Sequence, residues 1–209
     1  MPTATWARLP SERRNAVVAA AEAEFAAKGF SRGSLNVIAR EAGVAKGSLF
    51  QYFDDKLDLF AHLSDLASTR IGNAMAKYNA PLPWADDYWG ALATSLEAWV
   101  RHFGDHPIDL ALTAAVNLEP DTEARVAVRA AVHRHYLVGL RAIIDRGVTA
   151  RAVRADADLD AFLALMLLVM PHLALASNTP GLDPVLGLHD DPRQGIDRIV
   201  ATWQAAFGS

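Results

Sequence analysis

Apolar residues recur at helical spacing along most of the chain, and no segment alternates apolar and polar residues as a half-buried strand does. The clearest series is Trp89, Leu92, Leu96, Trp99 and Phe103, which advances in steps of three and four residues and predicts an amphipathic helix. Glycine or proline follows most such series, as at many helix ends. The pattern predicts an all-α protein of about nine helices, with approximate ranges 11–28, 34–43, 45–53, 54–78, 89–103, 108–118, 121–147, 157–177 and 193–207.

Two of these helices are short and meet at a single glycine. Ser34 is placed to cap the first one, and Gly43 can adopt the positive φ that turns a chain sharply after a helix. Two helices joined by a short turn that contains glycine form a helix-turn-helix, whose second helix enters the major groove of DNA. We therefore expect DNA recognition by the helix at 45–53.

That second helix divides into a buried face and a polar face. Leu49 and Phe53 lie four residues apart and are predicted to be buried. The other faces carry an ammonium, a glycine, a hydroxyl, an amide and a phenol, at Lys46, Gly47, Ser48, Gln51 and Tyr52. Such groups suit a helix that lies against phosphates and base edges.

The residues from 34 to 60 resemble a known family signature. The matching positions are Ser34-Leu35, Ile38-Ala39, Glu41 to Val44, Lys46 to Phe50, Tyr52-Phe53, and Lys56 with Leu57 to Phe60. They resemble the N-terminal signature of the TetR family of bacterial transcriptional regulators. The resemblance implies a three-helix helix-turn-helix DNA-binding head at 1–56 and a helical ligand-binding and dimerisation body at 57–209.

The resemblance also implies roles for individual residues of the head. Four would contact phosphates, namely Ser34, Lys46, Tyr52 and Lys56. Ser48 and Gln51 would read base edges, while Gly47 lets the backbone approach the groove. Two positions depart from the family pattern, because Phe50 stands where Tyr is usual and Val37 stands where an acid is common. One phosphate contact and the reciprocal capping box are therefore missing.

The charge distribution agrees with a DNA-binding head. Overall net charge is −4, but residues 1–57 hold eight Lys or Arg against six Asp or Glu, whereas residues 58–209 hold twelve against eighteen. The head is thus mildly basic and the body acidic. Cys is absent and Arg8, Glu12, Arg13 and Arg14 interrupt any leader-like run, so a cytoplasmic protein without disulfides is expected. Residues 1–10 have no period and are expected to form a loose arm.

An apolar segment lies in the second half of the chain. Residues 161–182 hold no Asp, Glu, Lys or Arg, but the dense apolar part is shorter than the ~20 residues of a membrane span and contains Pro171 and His172. A buried helix is therefore expected, with no membrane. The family resemblance implies a homodimer in which the last two helices, at about 157–177 and 193–207, pair with their copies.

Aromatic and methionine side chains of the body form a tentative ligand pocket. They are Trp84, Trp89, Trp99, Phe103, Met166, Met170 and His172. Such residues surround apolar ligands well, although at helical spacing they are also ordinary core residues.

The sequence contains nothing typical of an enzyme or of a metal site. His133 and His135 are two residues apart and do not face each other on a helix, and no thiolate is available. No nucleophile elbow, P-loop or dinucleotide motif occurs. We therefore expect no catalysis, metal or cofactor.

The favoured interpretation is a ligand-responsive regulator, most often a repressor in this family. It would bind a palindromic operator as a homodimer and be released by a small, largely apolar effector. The alternative is a small helical enzyme, or a lipid-binding or small-molecule-binding protein, that keeps the helix-turn-helix as a packing module. A membrane-surface protein is disfavoured by the acidic body.

Overall fold

Ten α-helices make up most of residues 2–209, which are the residues that this computed structural model describes. They are α1 (Ala4–Arg8), α2 (Ser11–Arg32), α3 (Leu35–Glu41), α4 (Lys46–Tyr52), α5 (Lys56–Asn79), α6 (Tyr88–Asp105), α7 (Pro107–Asn117), α8 (Thr122–Thr149), α9 (Leu159–Asn178) and α10 (Pro192–Phe207). Over this range there is no strand, only an isolated antiparallel bridge between Val153 and Gly208. The predicted all-α fold is confirmed, with one helix more than expected.

The additional helix is α1, where the sequence pattern predicted a loose arm. The Thr3 side chain caps it by accepting a hydrogen bond from the Trp6 N–H group. Trp6 is only 7% exposed, and its ring centroid lies 4.9 Å from that of Phe53. A helix of five residues is too short to show a hydrophobic period in the sequence. It is also too short to be stable alone, so these contacts stabilise it.

The chain divides into two compact units. Unit 1 comprises the residues up to Thr69 together with Ala111–His133, and unit 2 comprises Arg70–Leu110 and Arg134–Ser209. The division falls inside α5, α7 and α8, so it differs from the functional boundary at 56/57 predicted from the sequence. That functional boundary remains a prediction.

The core of unit 1 lies beneath the helix-turn-helix. Phe25 of α2 and Phe60 of α5 are fully buried, with ring centroids 4.9 Å apart. Ile38 of α3 and Leu49 of α4 are buried in the same cluster, as is Phe53. The aliphatic and aromatic stripes predicted for these helices therefore meet in one core.

Unit 2 is built on the packing of α6, α9 and α10. Phe162 of α9 is fully buried, with its ring centroid 4.6 Å from that of Phe207 of α10. Within residues 2–209, α9 is the one helix long and apolar enough to cross a membrane by length and composition. Eight of its residues are nevertheless buried within the protein, so α9 contributes to the core of unit 2.

A buried ionic cluster joins three helices of unit 2. Asp109 of α7 is 2% exposed and accepts hydrogen bonds from Arg70 Nε of α5 at 3.0 Å. Its other carboxylate oxygen lies 2.9 Å from Nε2 of His102 of α6, which is also buried. A buried carboxylate is stable only when it is paired and hydrogen-bonded. The Asp109 carboxylate therefore connects α5, α6 and α7.

Removing the Trp6 side chain should destabilise unit 1 although the residue lies near the chain end. We expect Trp6→Ala to lower the free energy of unfolding by about 3 kcal/mol, because a buried aromatic ring is lost. Urea denaturation followed by circular dichroism measures this change. The exposed Val126 of the same unit provides the control, since Val126→Ala should change stability by less than about 0.5 kcal/mol. Equal stability of wild type and Trp6→Ala would show that α1 is not docked.

Candidate nucleic-acid interface and ligand cavity

The turn between α3 and α4 depends on the conformation of Gly43. Its φ is 65°, and a Cβ placed there would meet no atom within 4 Å, so the requirement for glycine comes from the backbone angle and not from space. The Val44 N–H group donates to the Ala39 carbonyl at 2.9 Å, which closes the turn after α3. The helix-turn-helix predicted from the sequence is thus formed by these residues.

The α4 helix has the two faces that the sequence predicted. Leu49 and the following Phe53 are each 2% exposed. Lys46, Gly47 and Gln51 are exposed, and Ser48 is half-buried. Phe50, where the family pattern has Tyr, is 48% exposed. The polar face is therefore available to a nucleic acid.

Tyr52 departs from this predicted set. It is 4% exposed, and its ring centroid lies 5.9 Å from that of Trp6. Its carbonyl accepts a hydrogen bond from the Thr3 N–H group at 3.0 Å. The docking of α1, which the sequence did not indicate, buries this ring. This burial argues against a direct phosphate contact by Tyr52.

Lys56 and Ser34 each make contacts inside unit 1. The Lys56 ammonium donates to the carbonyls of Ser31 and Gly33, both at 3.4 Å, and lies 4.4 Å from the Phe30 ring centroid. Ser34 occupies the N-cap position of α3 but its side chain makes no capping bond, contrary to expectation.

The start of α3 is held by Glu24 of α2 and not by the Ser34 side chain. The Ser34 N–H group donates a hydrogen bond to Glu24 Oε1 at 3.0 Å. For a phosphate contact this leaves the hydroxyl of Ser34 and not its N–H group.

A buried carboxylate behind the helix-turn-helix was not indicated by the sequence. Glu119, in the segment between α7 and α8, is 4% exposed. Its oxygens accept from the N–H groups of Phe30 at 3.1 Å, Ser31 at 3.3 Å and Asp121 at 3.1 Å, and from the Ser31 hydroxyl. Gly29 has a φ of 68° inside α2 and interrupts that helix. The interruption leaves the N–H groups of Phe30 and Ser31 without helical acceptors, and Glu119 supplies one.

The environment of Glu119 favours its ionised form. Burial acts to raise its pKa, but the hydrogen bonds from Ser31, Asp121 and Phe30 together outweigh burial and hold the pKa below its usual value. Its carboxylate is therefore charged at neutral pH, and it fastens the segment after α7 to the end of α2 within unit 1.

Unit 2 contains a cavity of about 250 Å³. Small residues contribute to its lining, namely Gly72 and Ala76 of α5, Ala80 directly after α5, and Gly139 and Ala142 of α8. Larger residues complete the lining: Met75, Asn79, Ser95, Trp99, His135, Tyr136, Leu140, Ile143, Arg146 and Met170. Within residues 2–209 no carboxylate belongs to this lining.

Only Trp99 and Met170 of the predicted pocket residues line this cavity. The indole of Trp99 donates to the Met170 carbonyl at 2.9 Å, which fixes both residues at the wall. Phe103 and Met166 are fully buried in the core, and His172 is exposed. Each lies on a helix that contributes to unit 2, but helical spacing alone does not determine which side faces the cavity.

The two remaining predicted residues also lie outside the lining. Trp84 is 8% exposed, and its indole N–H group donates to the Asn79 carbonyl at 2.8 Å. Trp89 packs against Tyr88 and Phe162, with ring centroids 4.9 Å and 6.1 Å apart. The sequence signal for the cavity is the series of small residues at 72, 76 and 80. Their side chains are too small to fill the space beside them, so a cavity remains.

No cluster of three or more His, Asp or Glu side chains suited to a metal ion occurs in the part of the chain that the structure describes. His102 and His106 stack with ring centroids 4.2 Å apart. His102 Nε2 lies 2.9 Å from Asp109 Oδ2, so His102 belongs to the ionic cluster of unit 2.

Comparisons with known proteins agree with the geometry of the head. Residues 17–63 match the family model for bacterial regulatory proteins of the tetR family. Residues 17–63 therefore form a DNA-binding domain of the tetR family. AcrR of Shigella flexneri, an HTH-type transcriptional regulator, is 36% identical over 72 residues, 34% of each chain. BepR of Brucella suis, an HTH-type transcriptional repressor, is 42% identical over 50 residues, 24% of each chain. The chain thus matches about a third or less of the length of these relatives.

Solved structures of transcriptional regulators resemble nearly the whole chain. A transcriptional regulator from Pseudomonas aeruginosa PAO1 is 24% identical with a TM-score of 0.69, covering 96% of this chain and 92% of that one. FadR from Bacillus subtilis, solved in complex with stearoyl-CoA, is 17% identical with a TM-score of 0.68, covering 91% and 96%. At these identities the likeness establishes the fold.

Loss of the Glu119 carboxylate should loosen unit 1 behind the helix-turn-helix. We expect Glu119→Ala to lower the free energy of unfolding by about 2–3 kcal/mol at about pH 7, since buried donors lose their acceptor. Because the folded pKa is below the unfolded value, this stabilisation is present above about pH 4.5 and is lost as the pH falls through the folded pKa. Urea denaturation at about pH 7 and about pH 3 tests both parts. The exposed Glu123 gives the matched control, Glu123→Ala, which should have little effect. A pH-independent difference between Glu119→Ala and wild type would contradict the ionised role.

Proposed function

We propose that this TetR-family chain is a transcriptional regulator, acting as a repressor, that binds a palindromic operator as a homodimer. The observation that supports DNA binding best is the polar face of α4, held outward by the burial of Leu49 and Phe53 on the opposite side. Two heads of a dimer would occupy successive major grooves about 34–36 Å apart. A DNA-binding protein of this kind acts in the cytoplasm.

Within α4 the proposed contacts divide by chemistry. Lys46 is exposed and offers an ammonium to phosphates, which sets affinity without reading sequence. Gln51 is exposed and its amide suits the N6 and N7 edge of adenine, with Ser48 as a second base contact. Ser34, through its hydroxyl, and Lys56 would add phosphate contacts, and Gly47 allows close approach. Tyr52 is left out of this set because its ring is buried.

The proposed homodimer uses α9 and α10. On α9, Leu165 and Leu168 are three residues apart and 38% and 73% exposed, so this helix, which has no Asp, Glu, Lys or Arg after Asp160, has an apolar exposed face. On α10, Ala201 and Ala205 are exposed at a spacing of four residues. An apolar face of this kind is typical of an interaction site, and two copies of a helix pair form a four-helix interface.

Release of DNA by a small, largely apolar molecule completes the proposal. The cavity of unit 2 is the proposed effector site, since α5 lines it with Gly72, Met75, Ala76 and Asn79 and also contributes residues 56–69 to unit 1. An effector that prefers one conformation of this helix would shift the population of DNA-competent dimers. A change from 99:1 to 1:99 requires a differential binding energy of about 5.5 kcal/mol.

The same cavity also supports a second candidate function. A small helical enzyme, or a lipid-binding or small-molecule-binding protein, would also use an apolar cavity beside Trp99. It would have no affinity for an operator and no requirement for the exposed side chains of α4. The DNA experiment below separates the two functions.

Selection of the duplexes that the protein binds from a library of random DNA, at fixed salt, should enrich one inverted repeat. On that operator, Gln51→Ala should reduce discrimination at one base pair by about 1–3 kcal/mol, because a base contact is lost. Lys46→Ala should weaken binding to all sequences and lower the salt dependence, because a phosphate contact is lost. Fluorescence anisotropy titrations measure both changes. Lys77→Ala, which removes an exposed lysine of α5 in unit 2, is the charge control. No enrichment, or identical effects of the two α4 variants, would contradict the assignment.

A charge placed on the apolar face of α9 should prevent dimer formation. We expect Leu168→Glu to give a monomer in sedimentation velocity, because its carboxylate would be buried without a partner at the subunit interface. Val126→Glu is the control, since Val126 is 62% exposed but lies in unit 1. A wild-type monomer would contradict the proposed homodimer, and a dimer that tolerates Leu168→Glu would place the interface elsewhere.

A further inference from the structure

The α4 helix exposes a large apolar side chain to which the proposed DNA contacts give no role. Phe50 is 48% exposed. Its neighbours Leu49, Tyr52 and Phe53 are each 4% exposed or less. Within residues 2–209, Phe50 belongs to neither of the hydrophobic core clusters. The fold of unit 1 therefore does not need this ring, and the ring is available to a partner.

The position of Phe50 on the helix matters more than its exposure, because single exposed apolar residues are common on protein surfaces. The buried residues of α4 define its inner side, and at about 100° per residue Gly47 lies nearly opposite them. A Cβ at Gly47 would meet no atom within 4 Å, so no protein group fills the space beside it. Phe50 and Gln51 follow Gly47 by three and four residues and therefore lie on either side of it on the outer face.

The chemistry of the ring limits what it can contact in DNA. A phenyl group has no hydrogen-bond donor, so it has little to offer to phosphates or to the polar edges of the bases. The family pattern has Tyr at this position, whose hydroxyl could bond a phosphate, and Phe50 lacks that hydroxyl.

The major groove offers an apolar group on one base pair. Of the four bases, thymine alone presents a methyl group there, at C5, and apolar side chains, Phe included, contact it. Burying that methyl against a ring removes apolar surface of both groups from water, which is favourable. A helix that enters the groove with Phe50 beside Gly47 would therefore favour thymine at one position.

We infer that Phe50 determines part of the DNA specificity, because its ring contacts the C5-methyl group of a thymine in each half-site of the operator. The inference rests on the proposed DNA-binding function and deepens it. It adds an apolar base contact to the polar contact of Gln51 in the same half-site.

Deoxyuridine tests this contact directly, because it differs from thymidine only by the C5-methyl group and keeps every hydrogen-bonding atom. Each thymine of the selected operator is replaced in turn by deoxyuridine, in both half-sites at once, and the affinity of the full-length protein is measured by fluorescence anisotropy. At one thymine position we expect binding to weaken about tenfold, because two buried methyl groups are lost. Half-sites without thymine, or no position that responds, would overturn the inference.

Variants of Phe50 assign the methyl effect to this side chain. Phe50→Ala should bind the thymine operator about tenfold more weakly than the wild type and should no longer distinguish thymine from deoxyuridine. Phe50→Leu keeps an apolar side chain and should retain a preference for thymine of at least about threefold. Since Phe50 is exposed, neither variant should change the far-ultraviolet circular dichroism spectrum.

Tyr78→Ala is the matched control. Tyr78 is also an exposed aromatic residue, at 44%, but it lies in unit 2. This variant should keep the full preference for thymine. A preference that persists in Phe50→Ala would belong to another residue or to the shape of the DNA and would overturn the inference.

The same measurements separate this inference from the proposed function. If an operator is selected but deoxyuridine has the same affinity as thymine, DNA binding stands and the contact of Phe50 with thymine is wrong. If Phe50→Ala weakens the thymine and deoxyuridine operators equally while the wild type prefers neither, the ring contacts the sugar-phosphate backbone and reads no base. If no operator is enriched, the proposed function fails, and this inference fails with it.

Discussion

The α3 and α4 helices have seven residues each, fewer than the roughly 12–15 that an isolated helix needs to be stable in water. Their conformation therefore depends on burial. Leu49 of α4 and Phe53, directly after α4, are buried in the core, as is Ile38 of α3. Since these apolar residues must face inward, the polar residues between them must face outward. The proposed DNA-reading face of α4 is a consequence of this core.

In each unit a buried carboxylate connects helices to one another or to the segment between them: Glu119 in unit 1 and Asp109 in unit 2. Glu119 satisfies the N–H groups that the interruption at Gly29 leaves open in unit 1. Asp109 pairs with Arg70 and His102 in unit 2, where it joins three helices. A buried carboxylate is tolerated only if its hydrogen bonds are complete. Each of these acids therefore restricts the arrangement of its neighbours more strongly than an apolar contact of the same size.

The cavity of unit 2 differs, because a buried polar atom in its lining has no hydrogen-bond partner. Asn79 is 8% exposed, yet its side-chain oxygen Oδ1 has no hydrogen-bond partner. Arg146 is exposed and stacks on the Trp84 ring, with its guanidinium carbon 5.2 Å from the ring centroid. Small residues on α5 and α8 keep this space open, where larger ones would close it. A protein that responds to an effector needs such a site, since the free energy of binding comes from interactions that the empty protein lacks.

The sequence by itself determined the helical class, the turn at Gly43 and the two faces of α4, because each depends on local periodicity or on one backbone angle. Helical spacing identified Trp99 and Met170 as apolar, but it did not distinguish cavity wall from core, as Phe103 and Met166 illustrate. That distinction, the docking of α1 over Tyr52 and the partners of Glu119, 88 and 89 residues away, were decided only by the tertiary structure. The physical reason is that burial and hydrogen-bond partners are properties of neighbours distant along the chain, and a single helix pattern carries no information about them.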